Sequence, residues 1–210
     1  MWIVTLLKGI GLGIVIALPV GPVGVLCVRR TLFEGLAMGL ASGLGAAVAD
    51  TIFGIIAGFG LTFLRDWLLS YQDWFGAGGG LFLLFLGARA LAAKKGEPEP
   101  LAREALFGAF ASAFALTITN PITILAFAAC FAFAGVTGDA PNLGIALLVA
   151  GVFFGSALWW LGLGLGVSGL KRRSGHFGLG WLNLTSGAIL SLSGVGLLAT
   201  SVWSLAPFGH

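Results

Sequence analysis

Asp50 is the only charged residue in the apolar run 35–64, about four turns from either end at 3.6 residues per turn. A carboxylate at that depth is expensive unless it faces the bundle interior or water. There it could serve as counter-ion to a cationic solute or carry a proton; alternatively it only hydrogen-bonds a neighbouring helix for packing. Two further groupings hold polar or helix-breaking residues inside apolar sequence. ALPVGP (17–22) brings Pro19, Gly21 and Pro22 together, and TITNPIT (117–123) sets Thr117, Thr119, Asn120 and Thr123 around Pro121. A proline in a helix interior removes a backbone hydrogen bond and clashes with the preceding turn. In hydrocarbon no water replaces that bond, so a break is tolerated where it is buried or lines a cavity. The freed carbonyls and half-helix N-termini could hold a polar solute. The alternative is a pair of packing kinks whose threonines satisfy the freed carbonyls.

The elements that must position these residues are membrane helices. Of 210 residues, 58% are hydrophobic and 9% charged, against ~25% charged in a soluble domain. The composition therefore predicts an all-α integral membrane protein. Spans of ~20 apolar residues fit six helices at roughly 3–28, 35–64, 74–93, 105–134, 142–168 and 178–203, with Arg89 snorkelling at the end of the third. Lys8 inside the first run, and PVGP where a small-residue cleavage site would stand, argue against a signal peptide. With six spans, Arg29, Arg30, Arg89, Lys94, Lys95, Arg103 and Lys171–Arg173 fall on one side, and Lys8 and Arg65 on the other. The positive-inside rule then predicts a multi-pass protein of a bacterial-type cytoplasmic (inner) membrane with both termini outside.

Setting Pro22 over Pro121, Gly45 over Gly155 and Trp74 over Trp181 aligns the halves at offsets of 99, 110 and 107. In this register Gly80 meets Gly187, Gly87 meets Gly194, and Asp50 stands opposite Trp160. The expected organisation is two three-helix repeats, 1–93 and 105–210, joined by a cytoplasmic linker at 94–104. Three helices per unit make the second copy inverted, with helices 1 and 4 broken at matching places. Such paired breaks point to the binding site of a secondary transporter.

Other features read more plainly. Glycines four apart, at 35, 39 and 43, at 54 and 58, and at 162 and 166, suit close helix packing and would suit a homodimer without requiring one. Asn183 and Ser186 are weaker candidates for a solute path. Trp67, Trp74, Trp181 and Trp203 read as interfacial belt residues, whereas Trp160 falls mid-helix and either walls a cavity or packs. Cys27 and Cys130 lie in apolar runs and imply no disulfide framework; a membrane thiol-disulfide electron carrier built on them is one competing class. A metal-ion exporter is another, but His176 and His210 lie far from Asp50 in sequence, and one carboxylate is a poor divalent site. No catalytic residues, cofactor, metal or nucleic-acid partner are expected; the partners are the bilayer and a small solute.

PVGPVG (19–24), RRTLFEG (29–35), GLGAAVAD (43–50) and TNP (119–121) together resemble the LysE family of amino-acid exporters, over nearly the whole chain. The resemblance implies efflux of basic or small neutral amino acids, driven by protons or membrane potential. Carried over residue by residue, it implies substrate or coupling contacts at Pro19, Gly21, Pro22, Asp50, Asn120 and Pro121; Thr119, a further candidate from its place beside Pro121, departs with Thr123 from the residues that many members carry there.

Overall fold

The structure is a computed structural model that describes residues 2–18, 21–59, 70–92, 103–120, 123, 126–127, 130, 142–173 and 179–205. Seven helices run through these residues: α1 (Trp2–Ala17), α2 (Pro22–Phe33), α3 (Leu36–Gly58), α4 (Gln72–Ala92), α5 (Arg103–Ile118), α6 (Asn142–Arg173) and α7 (Leu179–Leu205). There are no strands among them. Three stretches, Leu36–Gly58, Leu143–Arg172 and Leu184–Ser204, are each long and apolar enough to cross a membrane. The α1–α2 pair meets the same test as one span bent by 84°, and Asp73–Ala88 and Ala105–Ile118 are shorter apolar helices. The chain is an all-helical, multi-pass membrane protein. Pro19, Pro121, Trp67 and most of the linker expected at 94–104 lie outside the described residues.

The expected break in the first span is present as the change of direction between α1 and α2. Pro22 is the first residue of α2, where its missing N–H costs nothing because that group would have no intrahelical acceptor. Gly35, expected to be a packing glycine, instead has φ +100° ahead of α3, and a Cβ there would meet nothing within 4 Å; it turns the chain from α2 into α3. Gly162 and Gly166, also expected to mediate packing, face open space. The fifth expected helix ended at residue 168, but α6 continues to Arg173. Its last turn carries Lys171, whose Nζ donates to the Leu32 carbonyl near the end of α2. That contact joins a cation to a helix C-terminus, the arrangement the helix dipole favours.

Small residues set the packing. α1 lies along α6, α3 along both α5 and α6, and α4 along α7, while α2 contacts α3, α6 and α7. Lipid tails are as apolar as leucine, so close van der Waals approach has to hold such helices together. A Cβ on Gly80 would stand 2.9 Å from the Gly194 carbonyl oxygen, and one on Gly194 2.7 Å from that of Gly80. Gly87 and Gly187 make the second such crossing of α4 and α7. On two further seams, α6 against α1 and α3 against α5, Gly155 abuts the Ile10 carbonyl and Gly45 abuts that of Phe110. Large apolar side chains point outward, among them Phe107, Leu192 and Val202. Trp74 and Trp203, expected at the interface, are among the most exposed. Inside, Leu26, Ala46, Ala113, Trp160 and Leu190 share one cluster, and Phe53, Phe127, Leu148 and Val152 form another.

Candidate functional site

The end of α1 and the start of α2 lie beside the middle of α3 and α6. A cavity of about 60 Å³ lies there, lined by Gly21, Pro22, Val23 and Gly24 at the start of α2, Ala46 and Asp50 on α3, Thr117, Asn120 and Thr123 around the end of α5, and Trp160 on α6. That volume is on the order of a few water molecules. Ile16 and Ala17, at the end of α1, complete the wall.

Asp50 is 4% exposed. Ser156 of α6 donates its hydroxyl proton to Asp50 Oδ2 at 2.6 Å, a bond of charge-assisted length. It joins α3 to α6 across the core and fixes the carboxyl orientation. The start of α2 offers the opposite character. Gly21 is its N-cap residue and provides no side-chain cap, and the first helical bond runs from the Val25 N–H to the Gly21 carbonyl. The N–H groups of Val23 and Gly24 thus have no intrahelical acceptor and sit at the positive end of the helix dipole. Acceptor and donor groups face one cavity from different helices.

Of the residues singled out in the sequence, Gly21, Pro22, Asp50 and Asn120 line this cavity. Thr117 lines it too, while its hydroxyl donates to the Ala113 carbonyl at 2.9 Å. Thr119 lies elsewhere: its hydroxyl donates to the Ala115 carbonyl at 2.6 Å, and its side chain stands against Gly79 of α4. Asn120 accepts from the Thr123 N–H at 3.1 Å, so backbone bonding resumes past the break. Ser186 is buried on α7 and is not among the cavity-lining residues. Cys27 is buried on α2, Cys130 is half-buried, and both are free thiols.

The sequence reading missed two partners. Ser156 has no marker in sequence, being one serine among apolar residues, 106 positions from its acid. Arg30 was counted as a topology charge, but it is 8% exposed and binds three helices together. Its Nη1 donates to Ser42 Oγ at 2.8 Å and the Ala109 carbonyl at 2.9 Å, and its Nη2 to Ser112 Oγ at 2.7 Å. Its neighbour Arg29 pairs with Glu34 at 3.5 Å and covers the Phe33 ring.

A cavity at a broken helix, bordered by a carboxylate, uncapped N–H groups and apolar side chains, is the kind of site that secondary transporters build. The family model for the LysE type translocator matches residues 14–201, and the chain belongs to that family. No curated protein and no solved structure matches the chain.

Proposed function

We propose that the protein is a secondary transporter that exports amino acids, basic or small neutral, across a bacterial-type cytoplasmic membrane by alternating access. The observation that carries this reading is the cavity itself. Asp50 offers an acceptor for an ammonium group, and the first turn of α2 offers donors for a carboxylate, the two ends of a zwitterion. Cytoplasmic substrate enters between the halves and binds with its ammonium at Asp50. Rocking then exposes the site outward, and Asp50 takes a proton as the substrate leaves, coupling export to proton entry. The small volume suits a closed state whose walls part to admit a solute.

Two inverted three-helix repeats, six spans in all, are part of this proposal. Its support is the pairing of contacts. Exchanging the halves in the register above turns the Gly80–Gly194 crossing into the Gly187–Gly87 crossing, and both occur. The same exchange sets α1 against α6 in correspondence with α5 against α3, which also both occur. The charge distribution favours both termini outside.

Efflux from cells preloaded with a panel of amino acids tests the reading. Expression of the wild type should speed the loss of one class over empty-vector cells, and Asp50→Asn should abolish that gain. Full efflux by Asp50→Asn would remove Asp50 from transport. Absence of any faster loss, with the protein present in the membrane, would refute export of amino acids.

A further inference from the structure

Trp160 lies on α6 in the wall of the cavity and is 93% buried, being 7% exposed. Its indole Nε1 is shielded from solvent and has no hydrogen-bond partner among the described residues. Buried donors are nearly always paired, because an unpaired one keeps its full desolvation penalty. The ring is held firmly: Gly43 of α3 packs against its Cβ and Cγ so tightly that a side chain at 43 would collide with them. The indole therefore has little freedom to turn away and find another acceptor.

The register of the two halves shows how the donor came to be left open. At offset 110, Asp50 corresponds to Trp160, and Ser156, which binds Asp50, corresponds to Ala46. Both Ala46 and Trp160 line the cavity. One half thus supplies an acceptor with a hydroxyl already bound to it. The other supplies a donor, and the position that would answer it carries only a methyl group.

Resting on the exporter reading above, we infer that Trp160 is a substrate-binding residue whose indole N–H donates to the carboxylate of the bound amino acid, beside the N–H groups of Val23 and Gly24. Asp50 then reads the ammonium and Trp160 the carboxylate, so the site selects molecules that carry both. A primary amine without the carboxylate keeps the Asp50 contact and leaves the indole unpaired, as it is in the empty site.

The test compares purified wild type and Trp160→Phe in lipid nanodiscs, with calorimetric binding of L-lysine and L-alanine against their decarboxylated counterparts, cadaverine and ethylamine. Phenylalanine keeps an aromatic ring and removes the donor. The variant should bind whichever amino acid the wild type binds about tenfold to a hundredfold more weakly, the range of a hydrogen bond to a charged group. Affinity for the matching amine should change by less than about twofold, within the noise of a lost non-contact. Equal losses for acid and amine would make Trp160 a shape element and overturn the inference, as would no loss at all. Should the phenylalanine variant misfold, benzothienylalanine at position 160 replaces the N–H with sulfur in a ring of nearly the same shape, and the same two outcomes apply. The failures are separable. A wild type that binds and exports an amino acid while both variants match it sinks Trp160 alone; a wild type that binds and exports none sinks the exporter reading and this inference with it.

Discussion

Arg29 and Arg30 are adjacent and identical in type, yet the structure gives them different work, and substitution should separate them sharply. Arg30→Met removes three guanidinium hydrogen bonds, to Ser42, Ala109 and Ser112. Bonds to a charged group contribute ~1.5–3 kcal/mol each, ~4–9 kcal/mol together. Against this stands the desolvation of a buried cation, several kcal/mol, which leaves a net loss of about 2–4 kcal/mol. The abandoned hydroxyls limit the damage, since Ser42 still donates to the Met38 carbonyl and Ser112 to that of Ala109. At ~2–4 °C per kcal/mol for a chain of this size, the unfolding midpoint should fall by roughly 5–15 °C. Arg30→Lys keeps the charge but loses the planar fork that reaches both serines, and should fall between. Arg29→Ala disrupts a pair at 3.5 Å whose partner Glu34 has a 37% exposed side chain. Such partly exposed pairs are worth ~0–1 kcal/mol, so its midpoint should move by no more than a few degrees. Thermal unfolding in detergent, followed by loss of the monodisperse chromatographic peak, reads all three. If Arg30→Met unfolds with the wild type, or Arg29→Ala falls as far, Arg30 does not fasten the three helices.

Three more results are expected. Gly13→Ala should destabilise by ~1–3 kcal/mol, the usual range for overpacking, because its Cβ would collide with the Val152 carbonyl and lie 2.9 Å from the Ser156 nitrogen. Gly162→Ala should be neutral or stabilising by ~0.5–1 kcal/mol, since it faces open space in a helix interior; unfolding midpoints measured together check both. Ser156→Ala should leave the fold standing and lower the initial efflux rate about tenfold or more, the lower end for a bond to a charged group, because Asp50 loses the hydroxyl that orients it; wild-type efflux would show that this bond has no part in transport.

How much of this was legible follows from what each residue's setting depends on. A lone acid in a long apolar run is conspicuous because the cost of charge in hydrocarbon is local, and Asp50 was found on that ground. Prolines announce breaks for the same reason, and α2 begins at Pro22 as the backbone chemistry requires. A glycine does not announce its use. Gly35 supplies a positive φ, Gly80 a crossing point and Gly162 neither; the three look alike until the neighbouring helix is known. Thr117 and Thr119 stand two residues apart, at and just past the end of α5, so they point in different directions, one to the cavity and one to α4. Spacing alone could have separated them, but not assigned which faced inward. Arg30 was read for topology alone because a cation at the end of an apolar run serves topology as well as it serves a buried network. Only the positions of Ser42 and Ser112 on two other helices decide the matter.

The two ends of α2 show why the break is placed where it is. At its C-terminal end the carbonyl of Leu32 receives Lys171 from α6, and that of Arg30 receives the Glu34 N–H, so the negative pole is answered by protein groups. Between the ends, Arg30 ties the helix to α3 and α5. At its N-terminal end no side chain caps it, and Pro22 forgoes a donor that would otherwise need a partner. The remaining donors of the first turn border a cavity that also holds Asp50 and Trp160. A short helix fixed along its length, satisfied at its negative pole and uncapped at its positive one, concentrates the dipole's attraction for anions at the border of the cavity that holds Asp50. A continuous helix through residues 17–24 would have used those N–H groups internally, and the cavity would have kept its acid without a donor site opposite.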